Sequence, residues 1–262
     1  GRSAQSRSRG SNLRIKVKLS LDEIINGVEK KIKVKRKILS KEATFSNCSV
    51  CNGSGQVTKI TNTILGRMQS SSICGNCNGS GQSLSHRPSG ADSNGMLNHE
   101  ETVSIKIPPG VEEGMQLKVS GKGNESYNKN GFSGDLLVLI EESPNEDFVR
   151  EGKHLHHDLY ISISEATLGI TKDINLIDSK VRIKLEPGIQ SGKTLRLRNK
   201  GIQDLNGYSK GDLLVHVNIW TPKVLNKKQK EFFKEMLDDD NFKPNPKKSD
   251  KSFFEKVRDM FA

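Results

Sequence analysis

The chain contains a partial copy of itself. Slid by 78 residues, Ile105-Lys106-Ile107-Pro108-Pro109-Gly110-Val111-x-x-Gly114 returns as Ile183-Lys184-Leu185-Glu186-Pro187-Gly188-Ile189-x-x-Gly192. Gly134-Asp135-Leu136-Leu137-Val138 returns one residue early as Gly211-Asp212-Leu213-Leu214-Val215. A repeat of this length is one structural unit used twice, so the chain is expected to fold as two similar domains. Each copy reads strand, Pro-Gly turn, strand, Gly-rich loop, strand, with apolar and polar residues alternating, the pattern of a small β-sandwich. The expected class is mainly β: two tandem small β-sandwich domains, a metal-binding insert in the first and a short helical tail.

With 262 residues, 32% of them hydrophobic and 5% aromatic, there is enough chain for two modest aliphatic cores. No run of 18 apolar residues and no apolar leader occurs, which excludes a helical membrane span and reads as a soluble, cytoplasmic protein with no membrane partner.

Residues 1–11, GRSAQSRSRGS, carry no hydrophobic pattern and read as the end of a flexible linker, as though the chain were a piece of something longer. The first β-domain is expected over 12–45 and 97–144, interrupted by an insert at 46–96; the second spans 145–224 and the tail 225–262. Within the first domain a strand runs from Leu13 to Leu19, then a helical turn from Leu21 to Ile25 and a second strand from Glu29 to Leu39. Ser164-Glu165-Ala166-Thr167-Leu168-Gly169 stands in the second copy where Ser20 to Gly27 stands in the first. In the tail a helix begins at an Asn226 cap, and a second is expected from Ser249 to Phe261. Phe253, Phe254, Val257, Met260 and Phe261 form an apolar stripe there, which is read as a self-association surface.

The insert is rich in Gly, Ser and Asn and too poor in apolar residues to make a core, so it needs a staple. It holds all four cysteines. Cys48-Ser49-Val50-Cys51 and Cys74-Gly75-Asn76-Cys77 are C-x-x-C pairs separated by 22 residues, and each continues into Asn-Gly-Ser-Gly. Four thiolates at about 2.3 Å from a tetrahedral zinc make a closed structural site with no open position for catalysis. A redox C-x-x-C, by contrast, usually opens a helix, whereas both pairs here sit in Gly-rich loops.

The net charge of +11 suggests nucleic acid until it is located. Residues 1–41 carry 13 Lys and Arg against 3 acids, and those charges alternate with aliphatics, as on the solvated face of strands. Gly188 to Thr194 nearly spells a phosphate-binding loop but lacks one residue and lies between strands, so it reads as a turn. His154, His156 and His157 open a strand with no ligand set nearby in sequence. No nucleophile elbow, paired-carboxylate signature or Ser, His and Asp arrangement stands out, and no enzyme is expected.

The C-x-x-C-x-G-x-G knuckles, the Pro-Gly-Val-x-x-Gly turn and the duplicated Gly-Asp-Leu-Leu-Val strand resemble the C-terminal part of DnaJ-type co-chaperones over residues 12–262. The resemblance implies two β-rich substrate-binding domains, a zinc-binding insert and a C-terminal segment that pairs two protomers into a homodimer. It also implies capture of exposed hydrophobic segments of unfolded proteins and their delivery to a DnaK-type, ATP-driven heat-shock chaperone. By alignment with the family's groove, Leu13, Ile32, Val34 and, more weakly, Val138 match lining positions. The family's His-Pro-Asp signature does not occur in these residues, so this chain alone is not expected to stimulate the partner's ATPase. The family usually has four knuckles and two zincs; here two remain, and the Thr63-x-Leu65-Gly66-x-Met68 sequence between them resembles the inner pair. One Zn2+ per chain, on Cys48, Cys51, Cys74 and Cys77, is therefore expected. The alternative is a zinc-containing nucleic-acid-binding protein that uses the basic N-terminal strands.

Overall fold

The computed structural model describes residues 8–63, 66–129, 131–205 and 207–246. The chain separates into two compact units that meet between Pro144 and Asn145.

The first unit opens with β1 (Leu13–Leu19), α1 (Leu21–Asn26) and β2 (Val28–Leu39). Then follow β3 (Thr44–Asn47), β4 (Gln56–Thr63), β5 (Gly66–Ile73) and β6 (Gln82–His86), and the unit closes with β7 (Met96–Ile107), β8 (Gln116–Val119) and β9 (Leu136–Glu142). Strands pair as a three-stranded sheet in the order β1-β9-β8 and as three two-stranded ribbons, β2-β7, β3-β6 and β4-β5. β1 and β9 are parallel, with Leu13 opposite Leu136 and Leu19 opposite Glu142. That pairing joins the two ends of the unit, as a parallel pair requires a long connection. The buried aliphatics come from the alternate positions the sequence marks: Val17 and Leu19 of β1, Val34 of β2, Val103, Ile105 and Ile107 of β7, and Val138 and Ile140 of β9. Leu21 and Ile24 of α1 join them.

The second unit repeats the plan without the insert. β10 (Val149–Glu151), β11 (His154–Ser162), α2 (Ile163–Leu168), β12 (Ile170–Asn175), β13 (Lys180–Leu185), β14 (Thr194–Leu197) and β15 (Leu213–Trp220) are followed by α3 (Lys227–Met236) and a 3₁₀ turn at Asp240–Phe242. The main sheet runs β10-β11-β15-β14, with β11 parallel to β15 and Leu155 opposite Leu213, and β12 pairs with β13.

The equivalence extends to polar detail. Ser20 and Ser162 cap α1 and α2 in reciprocal boxes: the N–H of Glu23 donates to Ser20 Oγ at 3.3 Å, and that of Glu165 to Ser162 Oγ at 3.2 Å. Each box glutamate then takes a lysine, Lys30 at 2.8 Å and Lys172 at 2.9 Å. The counterpart of Ser20 is thus Ser162, two residues before the Ser164 that the sequence comparison aligned with it. Asp135 and Asp212 form another matched pair, both buried. Asp135 accepts from the N–H of Gly121 at 3.0 Å and Asp212 from that of Asn199 at 2.9 Å, and Lys118 and Arg196 stand beside them. Those backbone donors first, then the neighbouring cations, hold both carboxyls below the usual range.

α3 begins at Asn226, whose side chain accepts from the N–H of Gln229, as the cap signal indicates. The second tail helix expected over 249–261, with Phe253, Phe254, Val257, Met260 and Phe261, lies outside the described residues.

Candidate metal centre

The insert is built from two ribbons, β3-β6 and β4-β5. β3 leads into the first cysteine knuckle and β4 out of it, β5 leads into the second and β6 out, so β4-β5 projects beyond the knuckles and β3-β6 ties them to the domain. The sequence reading took this segment as loops. Its strands consist of Thr, Ser, Gln and Asn with scattered aliphatics, and β5 is exposed at every position.

The knuckles are held to each other by backbone. The N–H of Cys48 donates to Gly81 O at 2.9 Å, and the N–H of Cys74 donates to Gly55 O at 3.0 Å. Ser54 and Ser80 tighten each turn by donating to the carbonyls of Cys51 and Cys77, both at 2.7 Å. Gly55 and Gly81 sit at φ +74° and +73°, and a Cβ on either would lie 2.5 or 2.4 Å from the facing carbonyl oxygen of Gly79 or Gly53. Glycine is therefore required at both positions by close approach as well as by handedness.

All four thiols are buried, and their sulfurs lie within 4.8 Å of one another. Cys51 Sγ and Cys77 Sγ are 3.7 Å apart, and Cys48 Sγ and Cys74 Sγ are 4.0 Å apart. A disulfide needs about 2.05 Å, so these are not bridged pairs. Four sulfurs at about 2.3 Å from a common centre would stand about 3.8 Å apart, so the residues fit a tetrahedral metal. The outer shell is also in place: Gly55 N–H donates to Cys51 Sγ and Gly81 N–H to Cys77 Sγ, each at 3.3 Å, and the Asn76 amide donates to Cys48 Sγ at 3.3 Å.

These donors favour thiolate. Cys48 is pulled down to about 5, first by the Asn76 amide and then by the N–H groups of Cys51 and Val50. Burial opposes ionisation of Cys77, but the Gly81 N–H and the thiols of Cys51 and Cys74 still lower it. Cys74 is pushed up: the Cys77 N–H favours its thiolate, yet burial and the adjoining thiols outweigh it. The quartet can hold one metal ion, with every ligand supplied by the protein. Asn76 was legible only as a residue between two cysteines; nothing in the sequence showed that its amide reaches Cys48.

The other residues singled out from the sequence lie elsewhere in the first unit. Leu13 opens β1 and Ile32 lies in β2, both half-buried, while Val34 and Val138 are buried. β1 is an edge strand of its sheet. The N–H of Leu13 donates to Asp135 O and Leu19 O accepts from Ser143, so the odd-numbered residues of β1 bond toward β9. The backbone groups of Arg14, Lys16 and Lys18 therefore face away from β9, and the Lys18 carbonyl there accepts from Lys30 Nζ at 2.9 Å. Several basic side chains there and on β2 are paired: Lys16 with Glu141 at 2.6 Å, Arg36 with Glu101 at 2.9 Å and Lys37 with Asp92 at 2.9 Å. Gly188 to Thr194 forms the connection from β13 to β14, as the turn reading holds.

A four-thiol metal finger set into the first of two duplicated β-units defines a metal-binding tandem-β protein. The family model for the DnaJ C terminal domain matches residues 13–222. The Chaperone protein DnaJ of Bacteroides thetaiotaomicron is 43% identical over 268 residues, covering 99% of this chain and 67% of that protein. Those of Bacteroides fragilis and Porphyromonas gingivalis are 42% and 40% identical and are covered over 68% and 64% of their lengths. The chain belongs to the DnaJ C-terminal domain family and is a DnaJ-type chaperone chain, spanning about two thirds of the length of these relatives.

Proposed function

We propose that the chain binds exposed hydrophobic segments of unfolded polypeptides and passes them to a DnaK-type, ATP-driven chaperone. The observation that carries this reading is the edge of β1, where the backbone groups of Arg14 and Lys16 face away from β9 and can pair with an added strand beside aliphatic side chains. Strand addition takes its affinity from main-chain hydrogen bonds common to every sequence, and side chains at alternate positions supply preference. Leu13 and Ile32, half-buried, offer the guest an apolar surface, with Val34 and Val138 beneath. In the second unit the first three residues of the equivalent strand β11 are already paired with β10, which supports the first unit as the principal acceptor. The lysines along β1 discourage permanent edge-to-edge association of copies.

The thiol quartet holds one Zn2+ per chain in this reading, on Cys48, Cys51, Cys74 and Cys77. The ion supplies no chemistry on a substrate; it pins two knuckles that lack an apolar core. The tail residues Phe253, Phe254, Val257, Met260 and Phe261 join two chains as a homodimer, and the protein works in the cytoplasm without catalysing a reaction of its own. The nucleic-acid alternative is disfavoured by the pairing of Lys16, Arg36 and Lys37 with carboxylates.

A fluorescence titration separates the two. A permanently unfolded protein should bind with little dependence on salt, whereas duplex or single-stranded nucleic acid should bind weakly, its affinity collapsing with salt. Nucleic-acid binding that exceeds client binding at physiological salt would overturn the proposal.

A further inference from the structure

The duplication pairs residues of the two units position by position, and on one strand of each main sheet the partners differ in charge. Leu13 of β1 lies opposite Leu136 and Leu155 of β11 opposite Leu213, so Arg14, Lys16 and Lys18 of the first unit correspond to His156, Asp158 and Tyr160 of the second. Their neighbour changes as well. Glu141 of β9, which takes Lys16 at 2.6 Å, corresponds to Asn218 of β15, whose amide donates to Asp158 Oδ1 at 3.1 Å. The ion pair of the first unit is replaced in the second by a carboxylate with a neutral partner.

A cavity of about 430 Å³ opens on this part of the second unit, lined by Glu146, Asp147 and Asp158 together with Val149 and Tyr160. His156 and His216 also line it and are hydrogen-bonded to each other, Nδ1 to Nε2, at 2.9 Å. No lysine or arginine does. The three acids are exposed, and among the described residues their carboxylates form no ion pair. Val149 and Tyr160 are 68% and 57% exposed, and Tyr160 meets Trp220 edge-on, their ring centres 6.3 Å apart. Lys223 stands over Trp220, 5.4 Å from its ring centre, outside the cavity. β10 pairs only with residues 154–156 of β11, and the Leu155 N–H donates to Asp212 O, so the backbone groups of Asp158 and Tyr160 face away from β15 beyond the last residue that β10 pairs.

We propose that this face of the second unit receives a lysine- or arginine-bearing segment of unfolded polypeptide, its cationic head among Glu146, Asp147 and Asp158 and its methylene stem against Val149 and Tyr160. This rests on the client-binding role proposed above and gives the two units opposite charge preferences. A cation gains from the carboxylates and from the tyrosine ring together, while its stem covers apolar surface that is otherwise wet. An acidic segment would set like charges against three carboxylates, and a purely aliphatic one would strip water from them without supplying a partner.

The test titrates the full zinc-loaded chain with three rhodamine-labelled extended peptides, read by fluorescence anisotropy. Leucine occupies alternate positions in all three, and the positions between carry arginine, its uncharged isostere citrulline, or glutamate. The citrulline peptide reports client binding in general, and the ratio of arginine to citrulline affinity reports the acidic face. Arginine should bind about fivefold more tightly than citrulline, the gain expected of one or two exposed cation contacts, and the ratio should shrink as salt rises. Asp158→Asn can keep the bond to Asn218 at an exposed position and should lower the ratio to about twofold. Asp158→Lys, which installs the charge of the first unit, should make glutamate the preferred peptide over arginine. Equal affinity for the arginine and citrulline peptides, or a ratio unchanged in both Asp158→Lys and Glu146→Gln, would overturn this assignment and leave the client-binding role standing. Absence of binding by all three peptides would overturn both.

Discussion

Replacing Gly81 by Ala, with Gly79→Ala beside it, isolates what holds the metal finger together. Both glycines have positive φ, +73° and +84°, so either substitution incurs a handedness penalty of about 1–2 kcal/mol. They differ in surroundings. The Cβ of Gly79→Ala meets only the methyl of Ile73 at 3.3 Å, which can yield, whereas that of Gly81→Ala falls 2.4 Å from Gly53 O on the opposite knuckle. Real contacts of this type stay above 3.0 Å, so the knuckles must part, and the bond from Cys48 N–H to Gly81 O is strained with them. Loss of that hydrogen bond adds about 1 kcal/mol.

Around the knuckles the buried cluster is the four cysteines with Val57 packed against them, which is too little apolar packing to absorb the strain, and the cost is expressed in metal affinity. At about 1.4 kcal/mol per decade, Gly79→Ala should weaken zinc about tenfold and Gly81→Ala about a hundredfold. Competition against a chromophoric chelator measures both. Equal affinities for the two variants would refute the reasoning, since they would show that the knuckle-to-knuckle approach contributes nothing.

Other outcomes can be checked independently. Metal analysis should find one zinc per chain, lost in Cys51→Ser; binding of this kind supplies about 10–16 kcal/mol in small zinc domains, so chelation should abolish the insert's amide protection while both β-units stay folded. Asp135 and Asp212 have folded values below the unfolded one of about 3.9, so their stabilisation is complete above that pH and is lost as pH falls through the lowered values. Urea midpoints followed into acid should therefore drop for the wild type and drop less for Asp212→Asn, and parallel curves would contradict the assignment. Lys16→Pro removes an outward N–H from an edge strand, where proline is tolerated, and should cut affinity for an unfolded protein severalfold without changing the melting temperature; undiminished binding would move the client site away from β1.

Much of the first unit could be read from period-two alternation. Leu13 to Leu19 emerges as the expected strand, with Val17 and Leu19 buried and Arg14, Lys16 and Lys18 exposed, because alternation on a strand leaves one face for the core. The capping signal at Asn226 was equally local, since a cap is written within four residues. The insert's strands were not legible: Thr, Ser and Asn with little apolar periodicity read as loop, and they form ribbons because both ends are pinned by the knuckles and by β3-β6 pairing.

The amino-acid order alone determined the duplication, the mainly β class and the four cysteines as one ligand set, because repeats, alternation and C-x-x-C spacing are properties of neighbours along the chain. Which strand becomes a free edge was decided only in three dimensions, since β1 pairs with β9 across more than a hundred residues and β10 covers part of the corresponding strand in one copy alone. The same holds for Asn76 reaching Cys48 and for His156 meeting His216. Those contacts depend on register between distant strands, and register is a property of the packed core rather than of any local segment.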